Sequence, residues 1–512
     1  MKFLLLLTCL AAAAVNGVSA KVVIGYVPSY AFARYHADTI PYASFTHLYY
    51  AFAGMSNPTT LLPSFINGNP ELLGTIVTDA HRTNTKVILS IGGSVGSVYF
   101  STMVASNTSR KNFVDWNVEF IKQWGTDGVD LDWEYPGRPG VLGNVVDPAN
   151  DAANLLLLLK ELRAVLDENF PNDHKIITMA VRVEPFDGPN GPLKDISEYA
   201  KYMDYVNIMA CFSLASTQLQ YDINIVGGAT TGPNAPFTSE GTPGNRYSYV
   251  QAIRDWKSAG FPASQIVAGL AFYGRAWSTL SDVVAPGGAV SQFVPASSTL
   301  PAGDSDDVSS GIWKWINLRS QGLLTSSTTG GEGWTRYWDN ITQTPFLFNN
   351  ATKVYISYDD PISLQVKVSY ACDQNLAGVM VWDISYDNGE LMAATAQAKS
   401  CGESRGLFGG IVSVVVPKTG QGPLFGSVAY ASVNVQSHGS MFLTEEVKKE
   451  PETAKVLRRE CESEGAQRCL LADSTQFRTW YRKCVEGMWV IERCGSGGVC
   501  QENGDGTCSF FN

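Results

Sequence analysis

Apolar residues in this chain recur in short, nearly continuous runs, with polar residues gathered between them. Lys21–Tyr26, Ser44–Phe52, Lys86–Ser90, Lys175–Val181, Tyr205–Ala210, Ile266–Phe272 and Ala377–Asp383 are apolar and β-branched enough for strands buried on both faces. Helical patterns lie between them, at 71–84, 112–124, 151–167 and 247–259. In the third of these, Leu155, Leu158, Leu159 and Leu162 share one face. One further run, Thr126–Pro136, alternates instead. As a strand it would point Asp130, Asp132 and Glu134 one way and Val129, Leu131 and Trp133 the other, into something apolar. Eight strands alternating with helices predict an α/β fold, a (β/α)8 TIM barrel, with reactive groups at the C-terminal ends of its strands.

The alternating run carries the chemistry. An ordinary half-exposed strand also alternates polar and apolar residues, but Asp is depleted in strands and three carboxylates within five residues repel one another. Crowding of this kind raises the proton affinity of at least one of them, and so keeps a general acid protonated near neutral pH. The spacing Asp127-x-x-Asp130-x-Asp132-x-Glu134 resembles the signature of family 18 glycoside hydrolases, the chitinases and their relatives. Ser90-Ile91-Gly92-Gly93 is similar to that family's Ser-x-Gly-Gly motif, in which glycines at a strand end allow close backbone approach. The ending Tyr50-Ala51-Phe52 and the triplet Tyr273-Gly274-Arg275 are also similar, and the likeness extends over most of residues 21–400.

The resemblance implies hydrolysis of β-1,4-linked N-acetylglucosamine polymers with retention of configuration, without metal or organic cofactor. It implies that Glu134 is the acid, that Asp132 orients the substrate's acetamido group, and that Asp130 tunes Asp132. Asp127 falls out of the alternating register and reads as structural. The resemblance also implies sugar contacts from Tyr26, Phe52, Met209, Tyr273, Arg275 and Trp382, the last as an apolar floor. Core packing is the competing reading for Tyr26 and Trp382. His47, inside an aromatic strand, reads as a packed, hydrogen-bonded histidine rather than a base. Residues 278–372 are too long for a simple loop. Trp334–Asp339 and Val354–Pro361 resemble a small α+β insertion that some members carry between strands seven and eight.

The pattern breaks in strand six. The family normally has Met-x-Tyr-Asp there, whereas Met209-Ala210 is followed by Cys211-Phe212. Tyr221-Asp222 occurs ten residues later and leads into Thr231–Pro236, which also resembles the family's continuation, so residues 211–220 read as an insertion. Tyr221 and Asp222 are therefore conditional substrate contacts.

Composition narrows the setting. The 512 residues suffice for one large domain and a smaller one, and a formal charge of −11 argues against nucleic acid or an anionic membrane as partner. Such a balance suits a neutral polymer, and the resemblance implies that the polymer is chitin or its oligosaccharides. Residues 1–20, with Lys2, the apolar run Phe3–Val15 and Val18-Ser19-Ala20, have the three parts of a secretory signal, so an extracellular location, free or at the cell wall, is expected. Asn107, Asn340 and Asn350 open glycosylation triplets. Six cysteines (Cys461, Cys469, Cys484, Cys494, Cys500 and Cys508) crowd the last 52 residues. In a secreted chain they read as a disulfide module of undetermined pairing, and no Cys-x-x-Cys favours zinc. Cys372 and Cys401 are placed to bridge in the large domain.

The expected organisation is a barrel at 21–401, a linker at 402–455 and a Cys-rich module at 456–512. The module is similar to small chitin-binding modules of fungal chitinases, with Trp480 and Trp489 as stacking candidates or, equally, as its core. A chitin-binding protein without hydrolysis, an endoglycosidase acting on N-linked glycans and a structural wall protein are the alternatives to a chitinase.

Overall fold

The computed structural model describes residues 21–66, 70–140, 143–210, 230–239 and 247–401, and five short strands between Gln467 and Phe511. The chain divides into two compact units, Met1–Gly410 and Ile411–Asn512. The first is built on eight parallel strands: β1 (Val22–Pro28), β2 (His47–Gly54), β3 (Lys86–Gly92), β4 (Gly128–Asp132), β5 (Ile176–Val181), β6 (Tyr205–Ile208), β7 (Ile266–Ala271) and β8 (Gly378–Trp382). Each pairs with its sequence neighbour, and β8 pairs back onto β1 with Val22 opposite Gly378, so the sheet closes. This is the expected (β/α)8 barrel.

Closure gives the strands two apolar environments. Outward-facing side chains such as Val129, Leu131 and Trp133 enter a large buried core shared with the helices. Trp133 stacks on Phe100 with ring centroids 5.4 Å apart. Leu155, Leu158, Leu159 and Leu162 of the helix Asp151–Asn169 are fully buried in this layer, as their spacing predicts. Inward-facing Ile24, Tyr26, Tyr49, Ala51, Ile88 and Met380 form a second, separate cluster along the barrel axis.

The helix Asn107–Trp124 starts five residues earlier than its periodicity suggests. Ser106 caps it by accepting the Ser109 amide, and Gly125 ends it in the left-handed conformation at φ 68°. His47 is buried, its Nδ1 2.8 Å from the Thr46 hydroxyl, and burial followed by Lys86 pushes it down to about 3.

The insertion is a five-stranded antiparallel sheet in the order 312–314, 273–278, 354–357, 344–349, 334–339, with the short helix Trp315–Ser320 beside it. Its bounds differ from 278–372. The first strand, Tyr273–Ser278, follows β7 almost without a break, and the helix Pro361–Asp373 belongs to the barrel layer. Asp360 starts that helix through a capping box with Ser363 and a proline at its first turn. A disulfide joins its Cys372 to Cys401.

In the second unit, strands 467–469, 480–485 and 488–493 form one antiparallel sheet, and strands 499–502 and 508–511 form another. Trp480 and Trp489 lie on the paired strands 480–485 and 488–493, in register with Arg493 and Cys484 respectively. The expected linker at 402–455 is outside the described residues.

Candidate active site

The acidic strand ends at the mouth of the barrel with all three carboxylates buried. Asp130 lies deepest and is met by four neutral donors from four other strands. The Ser90 hydroxyl (2.6 Å) and Tyr26 phenol (2.9 Å) donate to Oδ2, and the Thr178 hydroxyl (2.6 Å) and Asn207 amide (3.4 Å) donate to Oδ1. Burial pushes the Asp130 carboxyl up to about 6, against the pull of these hydrogen bonds. Thr178 and Asn207 are site residues that sequence reasoning missed. Their signal was a polar residue at an inward position of a strand whose other inward residues are apolar.

Asp132 comes next along the ladder. Burial, then the charges of Glu134 and Asp130, push its proton affinity well above the usual carboxylate range. Its Oδ1 is buried without a hydrogen-bond partner among the described residues, so it is ready to accept from a ligand. Glu134 follows one turn of the pleat later, and the Tyr135 phenol is pushed up by burial and by Glu134 and Asp132 beside it. The Glu134–Tyr135 peptide is cis, as are Ala51–Phe52 within the last half of β2 and Trp382–Asp383 at the end of β8.

Aromatic rings surround the acids. Trp382 stacks on Phe52 at 5.7 Å and tilts against Tyr26 at 5.8 Å. Trp382 and Phe52 are half-buried, so part of each ring is accessible. Met209 and Tyr273 belong to the same inner cluster, and Tyr273 meets Tyr386 edge-on at 6.3 Å. Tyr26, Phe52, Met209, Tyr273 and Trp382 therefore gather around the ladder. Arg275 lies two residues further on, on the insertion's first strand, and burial pushes it down to about 10. Tyr221 and Asp222 lie outside the described residues. The chain is described again from Thr230, where Thr231 bonds Gln292 and Val294, and Asn234 bonds Ser357 and Tyr273.

Asp127, the fourth acid of the motif, faces away from this group. Its Oδ2 accepts the Val87 amide at 2.7 Å and lies 2.9 Å from His81 Nε2. Among the described residues no three His, Cys, Asp or Glu side chains are grouped to hold a metal, and no helix is long and apolar enough to cross a membrane.

A closed barrel with a buried ladder of acids at the end of β4 fits the comparison with known proteins. Residues 22–387 match the family model described as glycosyl hydrolases family 18. The chain belongs to glycosyl hydrolase family 18. It is 29% identical over 408 residues to a chitinase-like effector of Moniliophthora roreri, spanning 76% of this chain and 95% of that protein. Among solved structures, a chitinase from Rhizomucor miehei is 32% identical with a TM-score of 0.65, covering 74% of this chain and all of that one. A group IV chitinase from Ostrinia furnacalis, solved in complex with allosamidin, is 27% identical with a TM-score of 0.60, covering 74% and 97%. This family 18 chain is therefore related to glycoside hydrolases that act on chitin.

Proposed function

We propose that this chain is a secreted chitinase that cleaves β-1,4-linked N-acetylglucosamine polymers with retention of configuration. The observation that carries the reading is the ladder itself: Asp132 is buried with high proton affinity and an open acceptor oxygen, between Asp130 and Glu134. Glu134 protonates the glycosidic oxygen as the bond to C1 breaks. The substrate's own acetamido oxygen attacks C1 from the other face, an arrangement that departs from the usual two-carboxylate scheme. Asp132 accepts the acetamido N–H and stabilises the positive ring that forms, while Asp130 keeps the charge of Asp132 in check. Water, deprotonated by Glu134, then opens the ring and restores the acid. Trp382 and Phe52 offer apolar faces to the sugar ring.

The same reading places residues 1–20 in a cleaved signal and sugar chains on exposed Asn340 and Asn350, and gives the C-terminal module a role in holding insoluble chitin. The likeness to proteins solved with a chitinase ligand supports an oligosaccharide as partner.

A second reading has its own support. Cys211-Phe212 stands where a Tyr-Asp pair is expected, and one relative is named a chitinase-like effector rather than a chitinase. On this reading the groove binds chitin and does not turn it over. Product release from N-acetylglucosamine oligomers separates the two, using the chain as given, Glu134→Gln, and a form lacking residues 211–220. Turnover lost in Glu134→Gln establishes the enzyme. Turnover only in the shortened form places the defect in residues 211–220. Binding without turnover in every form leaves the second reading.

A further inference from the structure

The side chain of Glu134 is only as well placed as the peptide that carries it, and both peptide groups of Glu134 are gripped by side chains from other loops. On the N-terminal side, the Glu134 amide donates to the Ser97 hydroxyl at 3.1 Å. Ser97 is fully buried, and its own proton is shared between Gly93 O at 2.8 Å and Asp132 O at 2.9 Å. One hydroxyl thus links the loop after β3 to the peptides before and after Trp133. On the C-terminal side, the Asn144 amide donates to Glu134 O at 2.7 Å, from the loop after β4.

The surrounding backbone leaves no slack. The Gly93 amide also donates to Asp132 O, at 2.8 Å. A Cβ on Gly92, whose φ is +118°, would lie 2.1 Å from that oxygen. A Cβ on Gly140 would lie 1.9 Å from Glu134 O. Such contacts force a backbone shift, so the glycines allow the two loops to close on the strand end.

We propose that Ser97 and Asn144 are positioning residues for Glu134. They touch no reacting atom; they fix the direction in which the acid leaves the strand, and without them the carboxyl samples positions away from the glycosidic oxygen. The inference rests on the reading of Glu134 as the acid. Misplacement of a catalytic group by about 1 Å costs on the order of 100-fold. Loss of one of two clamps is therefore expected to lower kcat by roughly 10- to 100-fold.

The test uses the full chain with Ser97→Ala, Ser97→Thr and Asn144→Ala. The expected result is a fall in kcat for Ser97→Ala and Asn144→Ala with KM and oligomer affinity within about threefold, together with partial recovery in Ser97→Thr, which keeps the hydroxyl. Asn144 is only half-buried, so Asn144→Ala decides the matter if Ser97→Ala does not fold. Unchanged kcat in folded variants overturns the proposal, and so does a loss that appears only in KM. Crystal structures of the variants supply a readout independent of turnover. If the unaltered chain releases no product, the chitinase reading fails by itself. A Glu134 carboxyl that keeps its position in both variants then overturns the positioning role, and a displaced one upholds it.

Discussion

Two regions of the barrel bury carboxylates completely and compensate them in opposite ways. At the start of the helix Pro361–Asp373, Lys367 Nζ lies 2.6 and 2.8 Å from the two oxygens of Asp359 and 2.6 Å from Ala235 O, with both side chains about 1% exposed. Next to it, Arg336 pairs with Asp360 and opposes, without cancelling, the rise that burial gives that carboxyl. At the end of β4, Asp130 is met only by hydroxyls, a phenol and an amide, and Asp132 faces two more acids. A cation compensates charge and fixes structure. Neutral donors compensate it in part and leave proton affinity behind, which a catalyst needs and a scaffold does not.

The sharpest way to break this comparison is to remove the cation. Lys367→Met leaves the Asp359 carboxylate buried without its partner, and stability should fall by about 3–5 kcal/mol. Urea unfolding measures this, and kcat per folded molecule should hold. A smaller loss would mean that Asp359 takes up a proton or water as easily as the acids of β4.

A second effect should be nearly as large and appear in pH. Asp130 titrates near 6 in the folded chain and near 4 when unfolded, so between those values the folded state binds more protons. Stability therefore falls as pH rises from about 4 to about 6, by about 3 kcal/mol for this group alone. Asp132, also raised, adds to the same slope. Asp130→Asn should make the urea midpoint less steep in pH across that window, and an unchanged slope would remove Asp130 as its source.

The third effect lies in the chemistry. Asp132→Asn keeps the shape but loses the charge offered to the developing positive ring, and kcat should fall by about 100-fold, or roughly 2.7 kcal/mol, in initial-rate assays with N-acetylglucosamine oligomers. Equal rates would mean that Asp132 acts only as a hydrogen-bond acceptor.

The barrel was legible because strands buried on both faces read as apolar runs, and because the acidic strand alternates. That alternation correctly sent Val129, Leu131 and Trp133 outward and the ladder inward. The ring of Tyr26, Phe52, Met209, Tyr273 and Trp382 was expected from the family resemblance and not from strand periodicity, and the structure gathers these residues in one inner cluster. Thr178 and Asn207 went unread because one polar residue at an inward strand position is a weak signal, whose role shows only when closure brings four strands onto one carboxylate. Ser97 and Asn144 are loop residues whose partners are set by how far two loops fold back, and no local period encodes that. The insertion was displaced because Tyr273–Ser278 continues from β7, and because the capping signal at Asp360 and Pro361 was absorbed into the insertion instead of opening a barrel helix.

Asp127 gives the smallest expected effect and the finest control, since it shares the motif and the strand region with the ladder yet meets it with its back. Its carboxylate accepts the Val87 amide and lies beside His81, tying the end of the helix Pro70–His81 and the start of β3 to the entrance of β4, at the opposite end of the strand from Glu134. Asp127→Ala removes the acceptor of one partly buried amide, worth about 1–2 kcal/mol, and should lower the urea midpoint accordingly. Because the strand beyond it is held by pairing to β3 and β5, with Asp130 opposite Ser90 and Thr178, that loss should not reach the acids. Initial rates per folded molecule should therefore match those of the unaltered chain. A drop in kcat comparable to that of Asp132→Asn would mean that all four acids of the motif act as one charged unit, and that their division by strand register is wrong.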